Sequence, residues 1–157
     1  MTKLECLSHN REETVALAGN FARHLKAGDI ILLKGDLGAG KTTFTQGLSK
    51  GLRVNEADVN SPTFILMNYY EGKLPVYHFD FYRINKMEEL ATVDLEEYFY
   101  GRGVCVIEWP ERLGDLAPKE YFQVHLEHKS ETQRSLSFSA AGDKFKERLE
   151  RIKELRK

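Results

Sequence analysis

Residues 35–43 read GDLGAGKTT. The first eight of them match the phosphate-binding pattern G-x-x-x-x-G-K-[ST] at all four fixed positions. The preceding residues 30–33 are Ile-Ile-Leu-Leu, an apolar run without alternation that is typical of a central strand covered on both faces. After Lys41, Phe44 and Leu48 stand four residues apart and predict one face of a helix. The order strand, glycine loop, helix is the context in which this pattern binds phosphates.

The glycines of this loop let successive backbone N–H groups point toward phosphate oxygens, and the following helix adds the partial positive charge of its N-terminus. Lys41 is expected to reach the β- and γ-phosphates, the Thr42 hydroxyl to ligate Mg²⁺, and Thr43 to contact the α-phosphate. The sequence therefore predicts a site for ATP and Mg²⁺. The residues predicted to line it here are Asp36, Leu37, Gly38, Ala39, Gly40, Lys41, Thr42 and Thr43.

Two carboxylates follow apolar runs and are candidates for the metal side of the site. Asp80 follows residues 76–79, and Glu108 follows residues 104–107. Because the second run is apolar throughout, Glu108 is favoured as the Mg²⁺-side or water-polarising carboxylate, with Asp80 as the second acidic group. The two roles are interchangeable on this reasoning. Together with Lys41, they are the predicted catalytic residues.

Of three further residues near these runs, Thr63 and Trp109 each have two interpretations, and His78 has no assigned role. Thr63, in Ser-Pro-Thr-Phe at 61–64, lies either in a rigid turn or in a switch that senses the γ-phosphate. Trp109 is either a lid on the site or part of the core. His78 has no histidine or cysteine at zinc-ligand spacing, so we expect no zinc site.

Composition indicates a globular protein of one domain, residues 1–157. The chain is 41% hydrophobic and 30% charged, with a formal net charge of −1 and two cysteines. Such a charge does not favour direct binding to nucleic acid over the whole surface. Too few cysteines for a disulfide framework, and no long apolar run, lead us to expect a cytoplasmic protein without a membrane segment.

Hydrophobic patterning predicts a three-layer α/β domain with a mixed, partly parallel central sheet. It does not give the strand order or the oligomeric state. The predicted helices are one opened by the capping pair Asn10 and Glu13 and ending near Gly28, one from Lys41 to a cap at Gly51, one over 87–100, and a closing one with Phe145, Leu149 and Ile152. The predicted strands are an edge strand at 3–7, the buried strands 30–33 and 103–109, a hairpin of 64–70 with 74–81, and an antiparallel pair of 121–128 with 134–139.

Two minor sequence patterns, at residues 85–88 and 143–157, have ordinary explanations. Asn-Lys-Met-Glu at 85–88 is similar to the guanine-reading pattern N-K-x-D, but the acidic residue and its position are atypical, so adenine is the expected base. Residues 143–157 carry seven basic and four acidic side chains, a balance of about 7 − 4 = +3. A solvated amphipathic helix is favoured there over a docking surface for RNA or an acidic partner.

The glycine loop together with SPTF at 61–64, YHFDFYR at 77–83 and IEWP at 107–110 resembles the bacterial TsaE family. The resemblance runs from about residue 14 to residue 134. It implies a P-loop ATPase that works with the TsaB and TsaD proteins in making threonylcarbamoyladenosine in tRNA, with tRNA contacted indirectly or through that complex. It also implies that the chain hydrolyses ATP without itself transferring the threonylcarbamoyl group.

Carried over by position, the resemblance implies that residues 38–43 hold the phosphates, that Thr42 and Glu108 hold Mg²⁺, and that Asp80 is needed for activity. It also implies a switch that includes Thr63 and places Trp109 near the nucleotide. The further nucleotide contacts that it implies are Thr14 and Arg134.

Two rival functions share the glycine loop. A small-molecule kinase would need an acceptor pocket and an arginine-bearing lid, which the sequence does not show. A nucleotide-gated adaptor would bind ATP without hydrolysing it, and the presence of Lys41, Thr42, Asp80 and Glu108 together argues against that alternative.

Overall fold

The computed structural model describes residues 3–55, 67–82, 90, 94–152 and 154–155. Within those ranges the strands are β1 Leu4–Ser8, β2 Ile30–Lys34, β3 Met67–Tyr70, β4 Val76–Asp80, β5 Val104–Glu108, β6 Tyr121–His128 and β7 Arg134–Ala141. The α-helices there are α1 Arg11–Ala22, α2 Lys41–Gly51, α3 Leu95–Phe99 and α4 Asp143–Glu150, and a 3₁₀ segment spans Pro110–Leu116. None of the helices in the described part of the chain is long and apolar enough to cross a membrane.

The strands form one sheet in the order β1-β7-β6-β2-β5-β4-β3. The four middle strands, β6, β2, β5 and β4, are parallel to one another. At the sides β3 pairs antiparallel with β4, β7 pairs antiparallel with β6, and β1 pairs antiparallel with β7. The predicted α/β class with a mixed, partly parallel sheet is confirmed. Both predicted antiparallel pairs are present, as β3 with β4 and β6 with β7, although residues 64–66 lie outside the described residues.

Each face of the sheet buries its own hydrophobic cluster. Along β2, Ile31 and Leu33 belong to the cluster that packs on α1, α2 and α4, whereas Ile30 and Leu32 belong to the one that packs on α3 and the 3₁₀ segment. Successive strand residues point to opposite faces, so a strand covered on both sides must be apolar throughout. This is why β2 and β5 show no alternation in sequence.

Helix α1 begins as predicted but ends earlier. The Asn10 side chain accepts a hydrogen bond from the Glu13 N–H at 2.8 Å, which caps the first turn. The expected end near Gly28 is wrong, since the helix ends at Ala22. The chain continues in tighter turns, in which His24 N–H donates to Phe21 at 3.0 Å. Those turns keep Leu25 buried, so the apolar spacing continues past the end of the helix.

Gly51 does not cap helix α2, contrary to prediction. It lies inside the helix, and the left-handed residue that follows is Arg53, with φ of 65°. Gly51 is instead a contact point between helices, because a Cβ atom on it would lie 2.6 Å from the Gly19 carbonyl oxygen of α1. A glycine near a helix end has two explanations, and here close packing is the correct one.

The single helix predicted over 87–100 is also wrong. Asp94 has non-helical backbone angles, φ −86° and ψ 85°, and its side chain accepts from the Glu97 N–H to cap a new helix that begins at Leu95. Residues 87–89 and 91–93 lie outside the described residues, and Leu90 lies in a 3₁₀ turn. An aspartate side chain that bonds a backbone N–H as an N-cap favours a non-helical backbone at its own position, so a helix cannot run through it.

Candidate functional site

The carboxyl ends of β2, β4 and β5 meet at one edge of the sheet, and the predicted site residues follow them. The Cα partner of Asp80 on β4 is Glu108 on β5, and the partner of Glu108 on β2 is Leu33. The glycine loop leaves β2 one residue later, after Lys34. In parallel α/β sheets ligands bind outside the carboxyl ends of the strands. The fold therefore brings the loop and both carboxylates together.

The loop takes backbone angles that depend on its glycines. Gly38 and Gly40 have φ of 82° and 105°, a region that side chains disfavour. A Cβ on Gly35 would lie 2.6 Å from the Leu126 carbonyl oxygen, whereas one on Gly38 would meet nothing within 4 Å. Helix α2 starts at Lys41 without a side-chain cap, so its N-terminus faces the space beside the loop. An uncapped helix N-terminus behind glycines is suited to bind an anion.

Lys41 is held inside the site. Its Nζ donates to the Gly35 carbonyl oxygen at 2.7 Å and lies 3.8 Å from the centroid of the Trp109 ring, and the residue is only 5% exposed. Burial lowers the pKa of this ammonium below its usual value, although the nearby carboxylates Glu108 and Asp80 act in the opposite direction. The loop thus contains a desolvated cation with no carboxylate in direct contact among its described bonds.

Asp80 lies beside that cation under the opposite constraint. Burial raises the pKa of this carboxyl, and the charge of Glu108 raises it further, while the Tyr82 N–H that donates to Asp80 Oδ1 at 3.0 Å lowers it. Two acidic groups in register at the end of adjacent strands disfavour each other's ionised forms. A bound cation between or beside them would relieve this repulsion, so the donor set fits a divalent metal such as Mg²⁺.

Glu108 is buried and has a partner that the sequence patterns did not identify. His78 Nε2 lies 2.5 Å from Glu108 Oε2, and His78 Nδ1 lies 3.1 Å from the Tyr70 hydroxyl. Both His78 and Asp80 lie on β4, two residues apart, and therefore on the same face. That spacing was the available signal, since it places His78 beside whatever contacts the two carboxylates.

Trp109 lies between the core and the glycine loop. Its indole packs against the cluster containing α3 and also covers Lys41, and its ring lies 4.9 Å from that of Tyr82. The backbone at Trp109 is left-handed, with φ 59° and ψ 50°. Such angles are strained for a bulky residue and persist only where the surroundings enforce them. The strain falls at the residue that covers the loop lysine.

Thr14 and Arg134, from distant parts of the sequence, line one cavity of about 320 Å³ with Gly40 and Thr43. The Thr14 hydroxyl is buried and lies 2.7 Å from the Ser8 hydroxyl. Arg134 Nη1 donates to the carbonyl oxygens of residues 130 and 133, each at 3.0 Å, which fixes its guanidinium beside the loop. Both residues thus lie on the side of the loop where α2 begins.

The remaining predicted residues are distributed as follows. Asp36 and Leu37 are exposed and line a second cavity, of about 360 Å³, with Ala39 and Trp109 on the other side of the loop. Thr42 lies in the first turn of α2, directly after Lys41. Thr63 and the rest of 61–64, like Asn85 to Glu88, lie outside the described residues.

Comparisons with known proteins agree over most of the chain. The family model "Threonylcarbamoyl adenosine biosynthesis protein TsaE" matches residues 8–136. The protein of Bacillus subtilis (strain 168) named tRNA threonylcarbamoyladenosine biosynthesis protein TsaE is 42% identical over 146 residues, which cover 92% of this chain and 90% of the relative. Its namesake from Nostoc sp. is 45% identical over 130 residues, with 80% and 78% covered.

The crystal structure of Bacillus subtilis YdiB has the same fold. It superposes with a TM-score of 0.80 and 36% sequence identity, over 96% of this chain and 94% of YdiB. Sequence and fold therefore point the same way, and this chain belongs to the TsaE family, whose role is in tRNA threonylcarbamoyladenosine biosynthesis.

Proposed function

We propose that this chain is a cytoplasmic ATPase that binds Mg-ATP on its glycine loop and supports tRNA threonylcarbamoyladenosine formation by acting on a complex of TsaB and TsaD. The observation that carries the proposal is the convergence of the loop, Lys41, Asp80 and Glu108 at one edge of the sheet. A buried cation beside one buried and one half-buried carboxylate is what a triphosphate and its metal ion require.

In this proposal the loop N–H groups and the start of α2 bind the phosphates, and Lys41 exchanges the Gly35 carbonyl for phosphate oxygens. The Thr42 hydroxyl and Glu108 would hold Mg²⁺, which usually takes few ligands from the protein at nucleotide sites. Bound there, Mg²⁺ would neutralise charge on the β- and γ-phosphates.

Asp80 would then orient or polarise the attacking water. Burial and the charge of Glu108 raise the pKa of Asp80, and a bound cation would lower it again and so favour the ionised form. Thr14, Thr43 and Arg134 would contact the rest of the nucleotide from the cavity they share. Trp109 would move off Lys41 as the phosphates bind, because the indole ring and the phosphate oxygens would compete for the same side of Nζ.

Hydrolysis by the chain alone should be slow. A positive group at the γ-phosphate contributes about 10³- to 10⁵-fold in rate where it operates. Among the described residues, two arginines line the loop cavity, Arg11 and Arg134. Arg134 Nη1 is already bonded to carbonyl oxygens, and Arg11 Nη2 donates to Gln46 Oε1 at 2.8 Å. We therefore propose that ATP binding orders a docking surface for TsaB and TsaD and that hydrolysis resets the complex.

The test is phosphate release by the purified chain, alone and with TsaB, TsaD and tRNA, with the modified nucleoside measured in the same reactions. The proposal expects release stimulated by the partners and both signals lost in Glu108→Ala. Equal rates with and without partners would overturn the coupling. Full modification by Glu108→Ala without phosphate release would instead identify a non-hydrolysing adaptor, and a phosphorylated small molecule would identify a kinase.

A further inference from the structure

A chain of hydrogen-bonded polar groups crosses β3, β4 and β5, from a half-buried Asn68 to the buried Glu108 carboxylate. The Asn68 amide donates to the Tyr70 hydroxyl at 3.3 Å, and that hydroxyl lies 3.1 Å from His78 Nδ1. His78 Nε2 then lies 2.5 Å from Glu108 Oε2. The side chains of His78 and Glu108 are 0% and 4% exposed, so water does not compete for these bonds.

The chemistry of the groups sets the direction of the hydrogen bonds. An ionised carboxylate only accepts, so Nε2 of His78 carries the hydrogen that Glu108 receives. In the neutral ring Nδ1 is then an acceptor, and the Tyr70 hydroxyl donates to it. Each donor is thus matched to an acceptor, which fixes the tautomer and the orientation of the imidazole.

The His78 bond occupies only part of the acceptor capacity of Glu108. A carboxylate offers two oxygens, and among the residues that the structure describes the bond to Glu108 is that of His78 to Oε2, so Oε1 can accept from a water ligand or bind a metal ion. Outer groups that hold a ligand in this way commonly change metal affinity by about 10- to 100-fold when they are removed. The His78–Glu108 pair lies at the carboxyl ends of β4 and β5, where the Cα partner of Glu108 is Asp80.

We propose that His78, itself held by Tyr70, is a positioning residue that fixes the Glu108 carboxylate for the Mg²⁺ of the bound nucleotide. This inference rests on the function proposed above. It assigns to His78 no contact with the nucleotide, and it predicts that loss of the imidazole weakens binding only when Mg²⁺ is present.

The test is calorimetric titration of the full chain with ADP, once with Mg²⁺ and once with EDTA. The measured quantity is the ratio of the two dissociation constants. In His78→Leu the gain in affinity from Mg²⁺ should fall by about tenfold or more, while the affinity in EDTA stays that of the parent. His78→Gln keeps an N–H near the position of Nε2 and should restore the gain to within about threefold of the parent.

Tyr70→Phe supplies a second, milder variant in case His78→Leu fails to fold. Removing its hydroxyl frees the ring to turn, so the Mg²⁺ gain should fall by about threefold or more. Tyr69→Phe is the matched control, because Tyr69 is the neighbouring residue on the same strand, is half exposed and has its ring against Tyr77 instead. It should leave the gain unchanged.

An unchanged Mg²⁺ gain in folded His78→Leu, or in Tyr70→Phe if the first variant does not fold, would overturn the inference. So would an equal loss of affinity with Mg²⁺ and with EDTA, since that pattern means general damage to the site. If the parent chain binds no ADP under either condition, the proposed function itself has failed, and the two failures are thereby distinguished.

Discussion

Lys41 is the side chain in which stability and function conflict most directly. It is a desolvated ammonium whose described contacts are a carbonyl oxygen and the face of an indole. Neither contact neutralises its charge, and burial lowers its pKa. A positive charge that costs stability without a ligand is available to bind one, because incoming phosphates offer it a better partner than the loop does.

We therefore expect Lys41→Met to have a higher free energy of unfolding than the parent near pH 7 and to lose nucleotide binding. For a base whose pKa is lowered by folding, the cost is fully present below the folded pKa and disappears as the pH rises toward the unfolded value of 10.5. The difference between variant and parent should shrink over that alkaline range.

Urea denaturation at pH 7 and at several higher pH values measures this directly. Lys34→Met provides the matched control, since Lys34 ends β2 directly before the glycine loop but is only half-buried. A Lys41→Met variant that is less stable than the parent at pH 7 would contradict the interpretation of the lysine as strained.

Helix α2 begins directly after the glycine loop, so its packing on α1 helps to position that loop. A Cβ atom on Gly47 would lie 2.5 Å from the Val15 carbonyl oxygen, and one on Gly51 would lie 2.6 Å from that of Gly19. Both clashes are with backbone, which cannot move as a side chain can. The close approach of α1 and α2 is therefore made possible by glycines spaced one helical turn apart on α2.

Gly47→Ala should destabilise the fold by about 1–3 kcal/mol, the usual cost of overpacking, even though alanine favours helix by up to about 1 kcal/mol. Gly19→Ala is the control, because its Cβ would lie at an ordinary 3.4 Å from the Gly47 carbonyl oxygen. It should be neutral or stabilising. Urea midpoints compare the two, and equal effects would show that the helices are not held at this distance by glycine.

Sequence patterns predicted the elements whose local and tertiary requirements coincide. The apolar runs of β2 and β5 are unambiguous because both sheet faces are covered. Gly51 was misassigned because its reason lies on another helix, and the burial of Leu25 carried the α1 pattern past its end. His78 was missed because a histidine on a strand acquires meaning only when the neighbouring strand brings Glu108 to it.

At the scale of the whole molecule, helix α4 contacts the segment between α1 and β2, which is distant from it in sequence. Arg148 donates to Asp29 Oδ1 at 2.6 Å and to Oδ2 at 2.7 Å, and also to the His24 carbonyl oxygen at 2.8 Å. Its guanidinium lies over the rings of Phe122 and Phe145. Part of the basic excess predicted for residues 143–157 is thus turned inward, which favours the structural interpretation of this helix over a docking surface.

Arg148→Ala should lower the free energy of unfolding by about 3–5 kcal/mol, because it leaves Asp29 as a buried carboxylate without its cation. Adding Asp29→Asn to that variant should recover part of the loss. Lys146→Ala, on the exposed side of the same helix, should change stability by less than about 0.5 kcal/mol. Urea titration of the set measures all of these, and a loss in Lys146→Ala as large as that in Arg148→Ala would contradict the account.

The central expectation is that the glycine loop binds a magnesium nucleotide. Calorimetric titration of the purified chain with a non-hydrolysable ATP analogue and Mg²⁺ tests it directly, beside the same titration of Lys41→Met. We predict saturable binding of one nucleotide per chain and its loss in the variant. No heat of binding to the folded parent chain, or equal affinity for both proteins, would contradict it.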